Sequence, residues 1–157
     1  MGEYTASFVV QAISAVFSAT PYPLRNSALL DSGATIHIFN NNERFNKFRE
    51  AGPGDFVFAG KQRVVIRGYG NVDIQTQGPQ GRRALRLWDV ALCEKFPCNL
   101  VSLRQLQKHG YWWDTRPGHN CLRASNNAVI CSLVDRYDQF VIEDLPTGMA
   151  KSAFAAR

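Results

Sequence analysis

The sequence predicts an all-β fold with one or two short helices. Its apolar runs are short and rich in β-branched and aromatic residues, and Gly, Pro and Asn punctuate them. Only one stretch breaks that rhythm with helical spacing. The 157 residues, 45% hydrophobic and 20% charged, suit one domain with its own buried core. No apolar run approaches the length that a bilayer crossing needs, so no membrane partner is expected. The opening residues lack the sixth-position hydroxyl of a myristoylation signal, Ala6 standing there, and the basic region of a secretory leader.

Along 3–19, Ala6, Val9, Val10, Ile13, Val16 and Phe17 suit one face of a helix, while the many β-branched residues keep a strand open. Pro21 and Pro23 end that segment, so 1–26 is expected to be an arm or linker. A main domain is expected over 27–145. Ala28-Leu29-Leu30 is a compact apolar run leading into Asp31, continued by Ile36, Ile38 and Phe39 until Asn40-Asn41-Asn42 breaks it. Phe56-Val57-Phe58, the turn Ala59-Gly60-Lys61-Gln62 and Val64-Val65-Ile66 have the layout of a β-hairpin. Gly68-Tyr69-Gly70 then interrupts as a bend or bulge would. Val72, Ile74 and Thr76 form an alternating strand, Gly78 to Gly81 a turn, and 84–88 a partner strand.

Leu100, Val101, Leu103, Leu106 and Gln107 suit a short helix, with Gly110 placed as its C-cap glycine. Further strands are expected at 111–113, 121–123, 129–133 and 140–142, with Pro117-Gly118 and Asn126-Asn127 as turns. The end, 146–157, is small, polar and expected to be a flexible tail.

The net charge of +5 permits contact with nucleic acid, but the charge is scattered. Arg82, Arg83 and Arg86 form the one dense cluster, which suits a solvated turn better than a binding patch, and nucleic acid is not expected as a partner. Cys93, Cys98, Cys121 and Cys131 lack the paired spacing of a zinc site, so no metal is expected. Reduced, buried thiols are the favoured reading, with a disulfide left open.

The informative triplet is Asp31-Ser32-Gly33. A carboxylate at the end of a buried strand is costly unless it has partners. The small residues after it allow a tight turn that presents backbone N–H groups to that carboxylate. A lone triplet of this kind most often marks only a turn. Asp55, Asp73, Asp89, Asp135 and Asp138 lack the following hydroxyl, and Asp114-Thr115 is followed by Arg116. His37 with Ser32 or Cys93 could form a nucleophilic triad, but no nucleophile elbow is present. Gly68-x-Gly70 lacks the third glycine of a dinucleotide fingerprint. Tyr111, Trp112 and Trp113 suit core packing or a dimer contact better than a base-stacking platform.

Four stretches in order change the weight of the triplet: Leu29-Leu30-Asp31-Ser32-Gly33-Ala34-Thr35, Ala59-Gly60-Lys61, Ile66-Arg67-Gly68-Tyr69-Gly70 and Asn99-Leu100-Val101-Ser102-Leu103-Arg104-Gln105-Leu106. With Val90-Ala91-Leu92 before the last of them, the chain from about 27 to 143 resembles the proteases of Ty1/copia-type retrotransposon polyproteins. The resemblance implies a retropepsin-like closed β-barrel subunit with extra C-terminal strands. It implies an aspartic endopeptidase that needs no cofactor and cleaves its own Gag-Pol polyprotein in a cytoplasmic virus-like particle. Asp31 would be the catalytic carboxylate. Ser32 would bind the two active-site loops across the dimer axis, and Gly33 would let them approach. Ala34, Thr35 and a flap tip of Phe58, Ala59, Gly60 and Lys61 would contact the peptide, and the segment 99–106 would pack under the active-site loop.

Acid proteolysis of this kind needs two carboxylates sharing a proton, and this chain offers one Asp-Ser-Gly. A homodimer is therefore expected to supply the second. The rival reading is a domesticated or inactive domain of the same fold, acting as a dimerising or nucleic-acid-binding module.

Overall fold

The computed structural model describes residues 7–10 and 22–143. Of the two readings left open for 3–19, the strand is the one found over the described part, β1 (Ser7–Val10), and the rest of 3–19 and the tail 146–157 lie outside the described residues. Then follow β2 (Ala28–Asp31), β3 (Ile38–Phe39), β4 (Phe45–Glu50), β5 (Phe56–Ala59), β6 (Gln62–Val65), β7 (Gly68–Gly78), β8 (Gly81–Leu92) and β9 (Asn99–Ser102). The helix α1 (Leu103–Lys108) and β10 (Trp112–Asp114), β11 (Cys121–Arg123), β12 (Val129–Arg136) and β13 (Gln139–Ile142) complete the chain. The all-β expectation holds.

Two sheets form, a small one ordered β1-β5-β6 and a ten-stranded one ordered β10-β11-β12-β13-β2-β9-β3-β8-β7-β4. The expected closed barrel is not found among the described residues, because that order ends in two edges, β10 and β4. β4 is bulged between Asn46 and Arg49, with Lys47 at φ 51°, and β10 has three residues, so neither offers an unbroken ladder for closure. The sheet instead folds over itself: a Cβ on Gly78 of β7 would stand 2.8 Å from the Val129 carbonyl oxygen in β12.

β2 is the pivot. It pairs in parallel with β9, Asp31 opposite Ser102, and antiparallel with β13, Leu29 opposite Val141. Alternation sends Leu29, Leu100 and Ile38 into one core and Ala28, Leu30, Val101 and Phe39 into the other. The same alternation turns Asp31 toward the side of Leu29. That side also holds Val57, Ala59 and Val64 of the β5–β6 hairpin, Ala34, Ile36 and Cys98.

Where the structure departs from the sequence pattern, burial explains it. Leu100 and Val101 belong to β9, a strand buried on both faces between β2 and β3, and such an apolar run carries no periodicity to separate it from a helix. The helix begins only after Ser102, whose hydroxyl caps it by accepting from the Gln105 N–H at 3.2 Å. Gly110, at φ 83°, follows its end as expected. β4 was not legible, since its residues from Asn46 to Glu50 are exposed and carry no alternation. The segment 22–26 is no free linker: Leu24 is buried, and the Arg25 carbonyl accepts from Asn40 Nδ2 at 2.9 Å. The hairpin turn at Gly60-Lys61 puts Gly60 at φ 64°, the glycine-first pattern of a type II′ turn. Gly68 to Gly70 do not interrupt the chain as expected: they open β7 in continuous register with Val90 to Leu92, and the bulge follows them, with its extra residue on β8 where Asp89 takes φ 54°.

Candidate active site

The loop after β2 is built on backbone hydrogen bonds. Asp31 Oδ1 accepts from the Gly33 N–H at 2.7 Å, which closes a tight turn at the strand end. Burial raises the Asp31 carboxyl above the usual carboxylate range, and the N–H groups of Gly33 and Ala34 partly offset that rise. Among the described residues no arginine, lysine or histidine pairs with it. Ser32 and Thr35 are exposed, Gly33 half-buried and Ala34 wholly buried.

The segment after β9 packs under this loop. Ser102 is fully buried and its Oγ donates to the Ala34 carbonyl at 2.7 Å, while Gln105 Nε2 donates to the Thr35 carbonyl at 2.8 Å. The Ser102 N–H donates to His37 Nδ1 at 2.9 Å. His37 is thereby a buried acceptor rather than a catalytic base beside Ser32. Burial, and then the charge of His109, lower its pKa to about 3, so the ring stays neutral with its proton on Nε2. A second clamp lies at the other end of β9: Asn99 Oδ1 accepts from the Asn40 N–H at 2.9 Å, and Asn40 Nδ2 donates to the Phe96 carbonyl at 3.1 Å. The run of three asparagines marked a break in the sequence, and nothing there signalled that its first member would be buried.

The hairpin lies on the same side of the sheet as Asp31. Val57, Ala59 and Val64 face the core beside Ala34 and Ile36. Phe56, Phe58, Arg63 and Val65 take the opposite face, where the Phe56 and Phe58 rings meet edge to face at 4.9 Å and the Arg63 guanidinium sits 3.8 Å from the Phe56 centroid. Of the four expected tip contacts, Ala59 has its side chain buried in the core, Phe58 is half-buried, and Gly60 and Lys61 are exposed. The hairpin root is tied down by an unforeseen contact, the Tyr69 hydroxyl donating to Asp55 Oδ2 at 2.8 Å.

A family model described as the β-barrel domain of Pol polyproteins matches residues 28–111. The chain belongs to that family. No curated protein and no solved structure matches it. The Pol β-barrel match opens with β2 and closes just before β10, so it takes in Asp31, the hairpin and the segment under the loop. It leaves out β13, although β13 is a direct neighbour of β2.

The cysteines and Trp113 of this Pol β-barrel domain follow the blander readings. All four cysteines are free and buried, and burial pushes the Cys93 and Cys98 thiols up to about 12. Among the described residues no cluster of three His, Cys, Asp or Glu could hold a metal. No described helix is long and apolar enough to cross a membrane. Trp113 packs on Phe140 and donates to Asn120 Oδ1 at 2.9 Å. Arg86 pairs bidentately with Asp73, and Arg82 and Arg83 stand exposed near the β7–β8 turn.

Proposed function

We propose that this Pol β-barrel domain is an aspartic endopeptidase of the Ty1/copia type, working as a homodimer on the Gag-Pol polyprotein that contains it. The observation that carries the reading is Asp31. It is a carboxylate at the half-exposed end of a buried strand, held by backbone amides, raised by burial and unpaired with any cation among the described residues. Such a group stands ready to share a proton with an identical partner.

In the dimer the two Asp31 carboxyls hold one proton between them. The ionised one takes a proton from a water molecule as its oxygen attacks the scissile carbonyl carbon. The protonated one hydrogen-bonds the carbonyl oxygen and stabilises the tetrahedral intermediate. Collapse of that intermediate breaks the C–N bond, and the leaving nitrogen takes the proton that the first carboxyl removed from water, which returns the pair to one shared proton. Ser32, exposed beside Asp31, faces the partner loop. The rigid support under Ala34 and Thr35 keeps the two carboxyls at hydrogen-bonding range. The hairpin contacts the extended peptide through its Gly60-Lys61 tip and Phe58, with Ala59 contributing its main chain.

The test is a peptide-cleavage assay on the wild-type chain and Asp31→Asn, with a pepstatin-type inhibitor and sedimentation over a range of concentrations. Cleavage that is blocked by the inhibitor, lost in Asp31→Asn and rising with the dimer fraction supports the proposal. Cleavage by a strict monomer, or by Asp31→Asn, overturns it. A dimer that binds peptide or RNA with no Asp31-dependent cleavage would favour the inactive-module reading.

A further inference from the structure

Among the described residues the β5–β6 hairpin has one covered edge and one bare edge. β5 carries β1 on its outer side, whereas β6 ends the small sheet. Ala59 and Gln62 flank the two-residue turn and exchange the first pair of ladder bonds, so the next such pair is Val57 with Val64. By that alternation the N–H and C=O groups of Arg63 and Val65 point away from β5. Beside this edge runs a groove of about 260 Å³ lined by Gln62, Arg63, Val64, Val65, Arg67, Glu94 and Lys95. Val65 is 66% exposed. An exposed β-branched residue on an unpaired edge is a template for another strand, and nothing of the bulge that blunts the β4 edge protects it.

The charge of the groove is one-sided. Arg63, Arg67 and Lys95 face a single acid, Glu94. Glu94 is held by Arg67 at 2.8 Å, and Lys95 has no acidic partner among the described residues. Arg67 keeps further N–H donors beyond the one that Glu94 takes.

We propose that the β6 edge is a docking site for an extended polypeptide that alternates apolar and acidic side chains. The peptide adds as a strand, exchanging main-chain bonds with Arg63 and Val65. Its acidic side chains reach Lys95 and the free donors of Arg67, and its apolar ones cover Val65. A basic peptide meets uncompensated like charge there and is rejected. None of the lining residues belongs to the 31–35 loop. The site therefore does not depend on the Asp31 mechanism, and it would choose among polypeptides by charge before any chemistry.

The test uses the full chain with Asp31→Asn, so that no cleavage can interfere. Fluorescence anisotropy is read with a labelled peptide alternating Val and Glu, and with its Val-Lys counterpart. The Val-Glu peptide should bind and the Val-Lys peptide should not, with binding weakened by salt. Lys95→Glu should weaken the Val-Glu peptide roughly three- to tenfold. Val65→Pro removes an outward N–H without touching the β5 ladder, and should abolish binding of the Val-Glu peptide. Circular dichroism checks that this variant still folds, and Lys95→Glu decides alone if it does not. Equal binding of the two peptides, no binding of either, or unchanged affinity in Lys95→Glu would overturn the proposal.

Discussion

Asp31 and Asp114 each close a short strand of the same sheet, β2 and β10, and their surroundings treat the two carboxylates in opposite ways. Asp114 is buried and answered by charge. Arg116 grips it through Nε and Nη2 at 2.9 and 2.8 Å, Arg123 Nε adds a bond at 2.7 Å, and His119 Nδ1 stands 3.5 Å away. Hydrogen bonding by Arg116 holds its carboxyl well below the usual carboxylate range. Asp31 gets only backbone amides, and burial pushes it upward. One aspartate has been locked in its ionised form to hold the β10–β11 hairpin together. The other is left able to titrate: Ser102 and His37 hold its loop, and Asn40 and Asn99 the far end of β9, without adding charge beside it. The proposed dyad needs a proton to move, and a guanidinium group beside Asp31 would oppose that.

The sharpest way to break this comparison is to replace each acid by its amide. Asp31→Asn should remove cleavage entirely while leaving the fold intact. Its stability should also respond with a definite sign. Since the folded pKa is raised, the fold binds the proton more tightly than the unfolded chain, and stability is lost as pH rises from about 4 through the raised value. The amide should therefore be as stable as the parent or more so at pH 7, with the difference vanishing near pH 3. Thermal unfolding at the two pH values checks this.

Asp114→Asn should do the reverse. Its depressed carboxyl contributes stability above about pH 4 that is lost as pH falls. The amide leaves Arg116 and Arg123 without their counter-charge, and should lower Tm by roughly 5 °C at neutral pH. The deficit should shrink in acid. A matching response in both variants would erase the contrast.

Smaller effects probe the neutral clamp. Ser102→Ala removes the bond to the Ala34 carbonyl and the cap on Gln105, and should cost about 1–3 kcal/mol in urea unfolding. His37→Asn can still accept from the Ser102 N–H but does not titrate. The parent should lose stability as pH falls from 6.5 toward 3, because the unfolded chain takes a proton that buried His37 refuses. That slope, at most about 1.4 kcal/mol per pH unit, should flatten in the variant.

Much of this was legible in the residues. The hairpin turn at Gly60-Lys61 is local chemistry, and local chemistry shows in sequence. Arg116, which set Asp114 apart from Asp31 in the bare sequence, is the residue that neutralises it. What stayed hidden depends on contacts between distant segments. No pattern in Asn99 to Ser102 reveals that it threads between β2 and β3, and none in Gln139 to Ile142 reveals that it flanks β2. His37 and Asn40 read as a stray imidazole and a breaker because their partners, Ser102 and Asn99, lie far along the chain.

The pairing of β13 with β2 has a consequence in time. A ribosome releases the Asp31 strand early and its outer neighbour among the last described residues. During synthesis the strand that ends in Asp31 waits, with one flank bare, for almost the whole domain to emerge. Its final framing thus waits until residues 139–142 have left the ribosome, and a chain stalled before residue 139 has no means of completing it.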